Sequence, residues 1–186
     1  MLDPLVASIV SIGFGLMFLL ASVHKLTGFA RFRTILHDYR VMPGILVPLV
    51  AATVPTLEIA LGITWLFASE PRMAGIATAI LLMLYTSAIA LNLLRGRVHI
   101  SCGCGFGKAA RGDEALSWGL VLRNGALLGA AVAATMPQST RTIGVLDYVV
   151  LVAALLCVVL LFTAGNELIR NAAAIRSWRR GVARHD

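Results

Sequence analysis

Five apolar runs of about twenty residues, near 5–25, 46–68, 73–94, 117–136 and 145–165, alternate with short polar stretches along the chain. Each has the length an α-helix needs to cross the hydrocarbon of a bilayer. Between the first two runs the period changes. Phe29, Phe32, Ile35, Leu36 and Tyr39 recur at helical spacing among Arg31, Arg33, His37, Asp38 and Arg40. That pattern predicts an amphipathic helix over about 28–42, lying in the headgroup plane. The link Ser69-Glu70-Pro71-Arg72 is so short that the second and third runs form an antiparallel hairpin. Beyond residue 165 the helical pattern continues but turns basic. Arg170, Arg176, Arg179, Arg180 and Arg184 beside Trp178 make 166–186 a tail suited to an anionic leaflet. The expectation is an all-α integral membrane protein, a single domain built as a bundle of about five transmembrane helices with one interfacial helix after the first span.

Composition agrees. With 59% hydrophobic and 13% charged residues in 186, and a mean hydropathy of +0.86, the chain is too apolar for a soluble domain. A net charge of +7 would suit nucleic acid, but the basic residues fall between and after the apolar runs, a distribution that membrane orientation explains and phosphate binding does not. Five spans put the first loop, the loop after residue 94 and the basic tail on one side, which leaves Arg72 and Arg141 on the other. The positive-inside rule then places the N-terminus outside, and the loop and C-terminus at the cytoplasmic face. Met1-Leu2-Asp3-Pro4 carries an acid and no base ahead of the first run, so no cleaved leader is expected.

Chemistry concentrates in His99-Ile100-Ser101-Cys102-Gly103-Cys104-Gly105-Phe106-Gly107, which holds two of the three cysteines. Thiols one residue apart close only a very small ring, and a disulfide so far from relaxed geometry is readily reduced. Gly103, Gly105 and Gly107 free the backbone to fold around two sulfurs or to open for a partner thiolate. Arg95, Arg97, Lys108 and Arg111 surround the pair, and nearby positive charge raises the thiolate fraction. Cys102 and Cys104 are therefore candidate catalytic thiols. Two other readings stay open: small cysteines that merely pack, and a metal site of His99, Cys102 and Cys104, one ligand short of the four that structural zinc takes. Cys157 sits among Leu and Val and reads as packing.

Polar residues inside the spans are costly and mark sites or buried partners. His24 ends the first span and needs a partner at that depth, whereas Lys25 beside it is expected to snorkel to the interface. Glu58 lies halfway along the second span, after Pro55. Its carboxyl faces the bundle interior, as a protonated hydrogen-bonding group or as part of a functional path. Tyr85 reads as packing. Asn92 closes the third span, while Arg123 and Asn124 lie about 9 Å into the fourth at ~1.5 Å rise per residue. His24, Glu58, Asn92, Arg123 and Asn124 thus form a candidate polar cluster beneath the cysteines. Within it Arg123 and Glu58 are expected to neutralise each other, and His24 or Arg123 to hold a thiolate or a quinone oxygen.

The chain resembles the MauE (methylamine utilisation) branch of the DoxX-like membrane proteins. The resemblance is carried by His24-Lys25 with the Phe-rich segment and Tyr39-Arg40, Pro55 with Glu58, Asn92-Leu93-Leu94-Arg95-Gly96-Arg97, the cysteine loop, and Ser117-Trp118 leading to Leu122-Arg123-Asn124. It covers the first four spans. The family's loop usually reads Asp-Cys-Gly-Cys-Phe, whereas here Ser101 replaces the acid and Gly105 precedes Phe106. The resemblance implies a four-helix core plus a C-terminal span in a bacterial inner membrane. It also implies a part in maturing the disulfide-rich small subunit of methylamine dehydrogenase, a periplasmic protein, alongside a thioredoxin-like partner. The wider family implies redox work in the membrane, in some cases with quinone.

Overall fold

The computed structural model describes residues 2–67, 71–98, 100 and 116–182, and within them the protein is helical. Six helices follow one another: α1 (Pro4–Thr27), α2 (Phe29–Tyr39), α3 (Val47–Phe67), α4 (Pro71–Leu94), α5 (Trp118–Ala133) and α6 (Val145–Val182), with a 3-10 turn at Gly44–Leu46 leading into α3. Pro4–Thr27, Gly44–Phe67, Pro71–Leu94 and Val145–Ile169 are each long and apolar enough to cross a bilayer. The protein is an all-α integral membrane bundle.

Helix ends follow local chemistry. Asp3 caps α1 by accepting the Leu5 N–H at 2.8 Å, with Pro4 in the first turn where its missing N–H costs nothing. Arg40 ends α2 in the left-handed conformation (φ 44°), and its N–H donates to the His37 carbonyl.

α1, α3, α4 and α5 share one core. Phe14 and Phe18 of α1, Trp65 of α3, Ala74, Leu81 and Leu82 of α4, and Ala131 of α5 are buried together. Phe14 stacks on Trp65 with centroids 5.2 Å apart, and the Trp65 indole N–H donates to Thr78 Oγ1 at 2.8 Å, so the one polar atom of that ring is satisfied inside the bundle. Close approach depends on small residues. A Cβ on Gly62 would lie 2.8 Å from Leu19 Cγ and 3.1 Å from the Gly15 carbonyl oxygen, so α3 and α1 touch nearly backbone to backbone.

α5 has sixteen residues, about 24 Å at ~1.5 Å rise per residue, short of the ~30 Å of hydrocarbon. It still returns the chain to the far end of the bundle, because Gly75, in the second turn of α4, packs on Ala131 and Thr135.

α2 closes the near end. Its Phe32 and Tyr39 are buried, and Tyr39 joins Ile89, Leu116 and Leu120 in a second cluster that also takes in Ile100. The amphipathic helix therefore lies across the mouth of the bundle with its aromatic side turned down into it.

α6 stands apart. None of its most apolar stretch is buried. It packs against α1; Ile169 covers Gly119 near the mouth, and at the far end Arg141 bridges Asp147 (3.1 Å) and Asp3 (3.2 Å). The bonds to Asp147 and then Asp3 hold the Arg141 guanidinium above its ordinary pKa, so this clasp stays charged. Leu2 pairs with the 137–139 backbone beside it. Cys157, expected to pack, is exposed on the outward side of α6.

Packing at Gly75 gives a test. A Cβ there would meet the Ala131 carbonyl oxygen at 2.9 Å, a backbone atom that cannot swing away. Gly75→Ala should destabilise the detergent-solubilised protein by about 1–3 kcal/mol, the usual cost of overpacking. Gly125→Ala, which meets nothing within 4 Å, should leave the unfolding transition in place.

Candidate functional site

The buried polar residues fall into two groups. The first lies between α1, α3 and α4. Glu58 sits on the inward stripe of α3 made by Val47, Ala51, Pro55, Glu58, Gly62 and Trp65, and is 1% exposed. Lys25, 4% exposed, turns into the bundle and donates to Glu58 Oε1 at 2.5 Å. The Tyr85 hydroxyl donates to the same oxygen at 2.9 Å. The ammonium is flanked by two rings, with centroids at 5.7 Å (Phe32) and 5.6 Å (Tyr85).

This corrects two expectations. Lys25 does not snorkel outward, because α2 covers the end of α1 and a carboxylate waits below. Glu58 does not pair with Arg123; its accepting oxygen is taken by Lys25 and Tyr85.

Desolvating two charges is expensive unless attraction and further hydrogen bonds compensate. Here the ion pair, the phenol and two ring faces supply that compensation from four helices at once. Glu58 Oε2 has no partner among the described residues, so the carboxyl keeps one acceptor for a further donor.

The second group lies at the α5–α6 seam. Arg123, on the side of α5 that meets α6, donates from Nη1 to Asn166 Oδ1 at 2.8 Å and from Nη2 to Asn124 Oδ1 at 3.5 Å. Its guanidinium lies 5.6 Å from the centroid of Phe162. Asn124 itself is buried.

Between these groups and the cysteine stretch is a thin polar layer. Asn92 is fully buried, and its amide donates to the Ala88 carbonyl at 3.0 Å while Oδ1 has no partner. Ser117 Oγ and Arg97 Nη1 are likewise buried without partners. The Leu116 N–H donates to the Ile100 carbonyl at 3.2 Å, so the two residues that flank the cysteine stretch are joined to each other. His24 is half-buried on α1, and its carbonyl accepts from the Gly28 N–H and the Thr27 hydroxyl, both at 3.1 Å.

Cys102, Cys104, Gly103, Gly105, Gly107 and His99 lie outside the described residues. Among the described residues no group of three or more His, Cys, Asp or Glu side chains is placed to hold a metal ion. Of the two side chains expected to hold a thiolate or a quinone oxygen, Arg123 is turned to α6 and His24 lies half-buried on α1. A cavity of about 410 Å³ lined by Pro71, Arg72 and 134–138 opens at the far end of the bundle, away from both groups.

Lys25, Tyr85 and Asn166 take part in these groups although sequence reasoning assigned none of them a partner. The signal for Lys25 was present: Phe14, Phe18, Ser22 and Lys25 recur at steps of three and four, and all are buried.

The family model for "Methylamine utilisation protein MauE" matches residues 3–137. The chain is 33% identical over 141 residues to the methylamine utilization protein MauE of Paracoccus denitrificans, covering 75% of this chain and 74% of that protein. It is 38% identical over 102 residues to the MauE protein of Methylophilus methylotrophus, covering 55% and 54%, and 30% identical over 132 residues to that of Paracoccus versutus, covering 70% and 69%. No solved structure matches the chain.

The buried pair makes a firm expectation. Lys25→Ala strands a carboxylate in the core and should cost about 3–5 kcal/mol, read as loss of the folded fraction on thermal unfolding in detergent. Lys25→Met combined with Glu58→Gln keeps an acceptor for Tyr85 and removes both charges, and should recover most of that loss.

Proposed function

The chain belongs to the MauE family of methylamine utilisation proteins, and from that premise we propose that it is a membrane thiol–disulfide redox protein serving methylamine utilisation. Its working groups are Cys102 and Cys104. Its client is the small subunit of methylamine dehydrogenase or a similar secreted redox enzyme, and a thioredoxin-like protein is its exchange partner.

One observation carries the reading. Ile100 and Leu116, which flank the stretch bearing both cysteines, are hydrogen-bonded to each other, and the described residues near them include buried polar atoms of Asn92, Arg97 and Ser117 without partners among the described residues. A close pair of thiols is thus tethered at both ends to the mouth of a rigid bundle, among basic residues that favour the thiolate. Exchange at such a pair is balanced: for each S–S bond broken one forms, and the two protons of the consumed dithiol pass to the released one. The protein supplies tethering, positive charge and exclusion of bulk water from one side. It needs no cofactor for the exchange itself.

The charge distribution supports a cytoplasmic position for this mouth in an inner membrane. A client outside would then receive its disulfides through a second carrier, or through the bundle. Labelling intact cells with a membrane-impermeant maleimide should leave Cys102 and Cys104 unmodified until the membrane is permeabilised; labelling beforehand would reverse the orientation.

Function is tested at the sulfurs. Alkylation with and without reductant should show the pair cycling between disulfide and dithiol, and Cys104→Ser should trap a mixed disulfide with a partner protein. Active methylamine dehydrogenase should be lost when both cysteines are serine. Unchanged enzyme assembly in that variant would overturn the proposal, and zinc or copper retained by the pair without cycling would replace it with a metal site of His99, Cys102 and Cys104.

A further inference from the structure

Arg123 is a cation that meets no counter-charge among the described residues. The groups that hold it are two neutral amides and one ring face. An arginine at a membrane boundary is expensive unless an anion or water meets it, and this one is only half-buried.

Its level in the bilayer can be read from α6. Asp147 begins that helix and is held by Arg141 at the far end, and Asn166, which binds Arg123, lies nineteen residues later. At ~1.5 Å rise per residue the two are about 28 Å apart, close to the ~30 Å thickness of the hydrocarbon. Between them the outward side of α6 is bare of protein. Leu156, Leu160 and Leu161 are exposed, as is Leu122 of α5. The Arg123 guanidinium therefore sits where acyl chains end and phosphates begin.

Its chemistry suits such a ligand. Of the five N–H bonds of a guanidinium, two are engaged with Asn166 and Asn124, and Nε is buried without a partner. The remaining N–H of each terminal nitrogen forms the fork that matches two phosphate oxygens. Asn166 and Asn124 fix the plane of that fork, and Phe162 backs it. Trp118, one turn earlier on α5 and exposed, is the kind of ring that settles at headgroup level.

We propose that the α5–α6 seam at Arg123 is a binding site for the phosphate of an anionic phospholipid, whose acyl chains run down the exposed side of α6. The site is independent of the thiol chemistry and works in either orientation of the chain. A lipid held there bridges α5 and α6 beside the contacts that Phe162, Asn166 and Ile169 make with α5.

The test uses the full-length protein in detergent, titrated with phosphatidylglycerol or phosphatidylcholine of the same chains and read by native mass spectrometry. Wild type should retain phosphatidylglycerol about fivefold better than phosphatidylcholine, the factor one headgroup-level charge supplies. Arg123→Gln should erase that preference. Asn166→Asp keeps α6 bonded to Arg123 while giving it an internal counter-charge, and should erase the preference without loosening the bundle. Equal retention of phosphatidylglycerol by wild type and both variants would overturn the proposal. So would loss of bound lipid to millimolar inorganic phosphate, which would make the site one for free phosphate.

Discussion

A lysine and a glutamate, each almost sealed from solvent, meet at the point where three spans and the covering helix converge. In a bilayer there is no hydrophobic force to hold apolar helices together, because lipid tails are as apolar as leucine. Specificity has to come from close packing of small residues and from polar contacts that only one arrangement satisfies. The Lys25–Glu58 pair, with the Tyr85 hydroxyl, is such a contact. It fixes the register of α1, α3 and α4, and through the Phe32 ring it also fixes where α2 lies. The mouth of the bundle, and with it the two ends of the cysteine-bearing stretch, inherits its position from this pair.

Much of this was readable from periodicity. The α3 residues Val47, Ala51, Pro55, Glu58, Gly62 and Trp65 step by three and four, and that stripe points Glu58 inward. Thr78, Leu82, Tyr85, Ile89 and Asn92 do the same on α4, with Tyr85 the least buried of them. Lys25 was misjudged because a general rule about terminal lysines outweighed the stripe it belongs to. Partner choice was not readable. Glu58 and Arg123 have opposite charges, yet one faces α1 and the other α6, a matter of helix rotation that the spacing of charges along a chain does not encode. Nor does composition indicate that Asn166, at the start of the basic tail, belongs to an intramembrane contact.

The two ends of the bundle differ in kind. At the mouth, buried atoms of Asn92, Arg97 and Ser117 lack partners, a cost that ordinary cores avoid. At the far end Asp3, Arg141 and Asp147 satisfy one another and the backbone of Leu2 pairs with 137–139. Polar groups are thus satisfied at the far end and left without partners among the described residues at the mouth.

The far-end clasp joins residues about 140 positions apart in the chain. During synthesis α1 can pack on α3 long before Arg141 and Asp147 leave the ribosome, so only its first turn, at Asp3, waits for the start of the last helix. Closure of that end of the bundle is thereby tied to translation of the segment that carries Arg141 and Asp147.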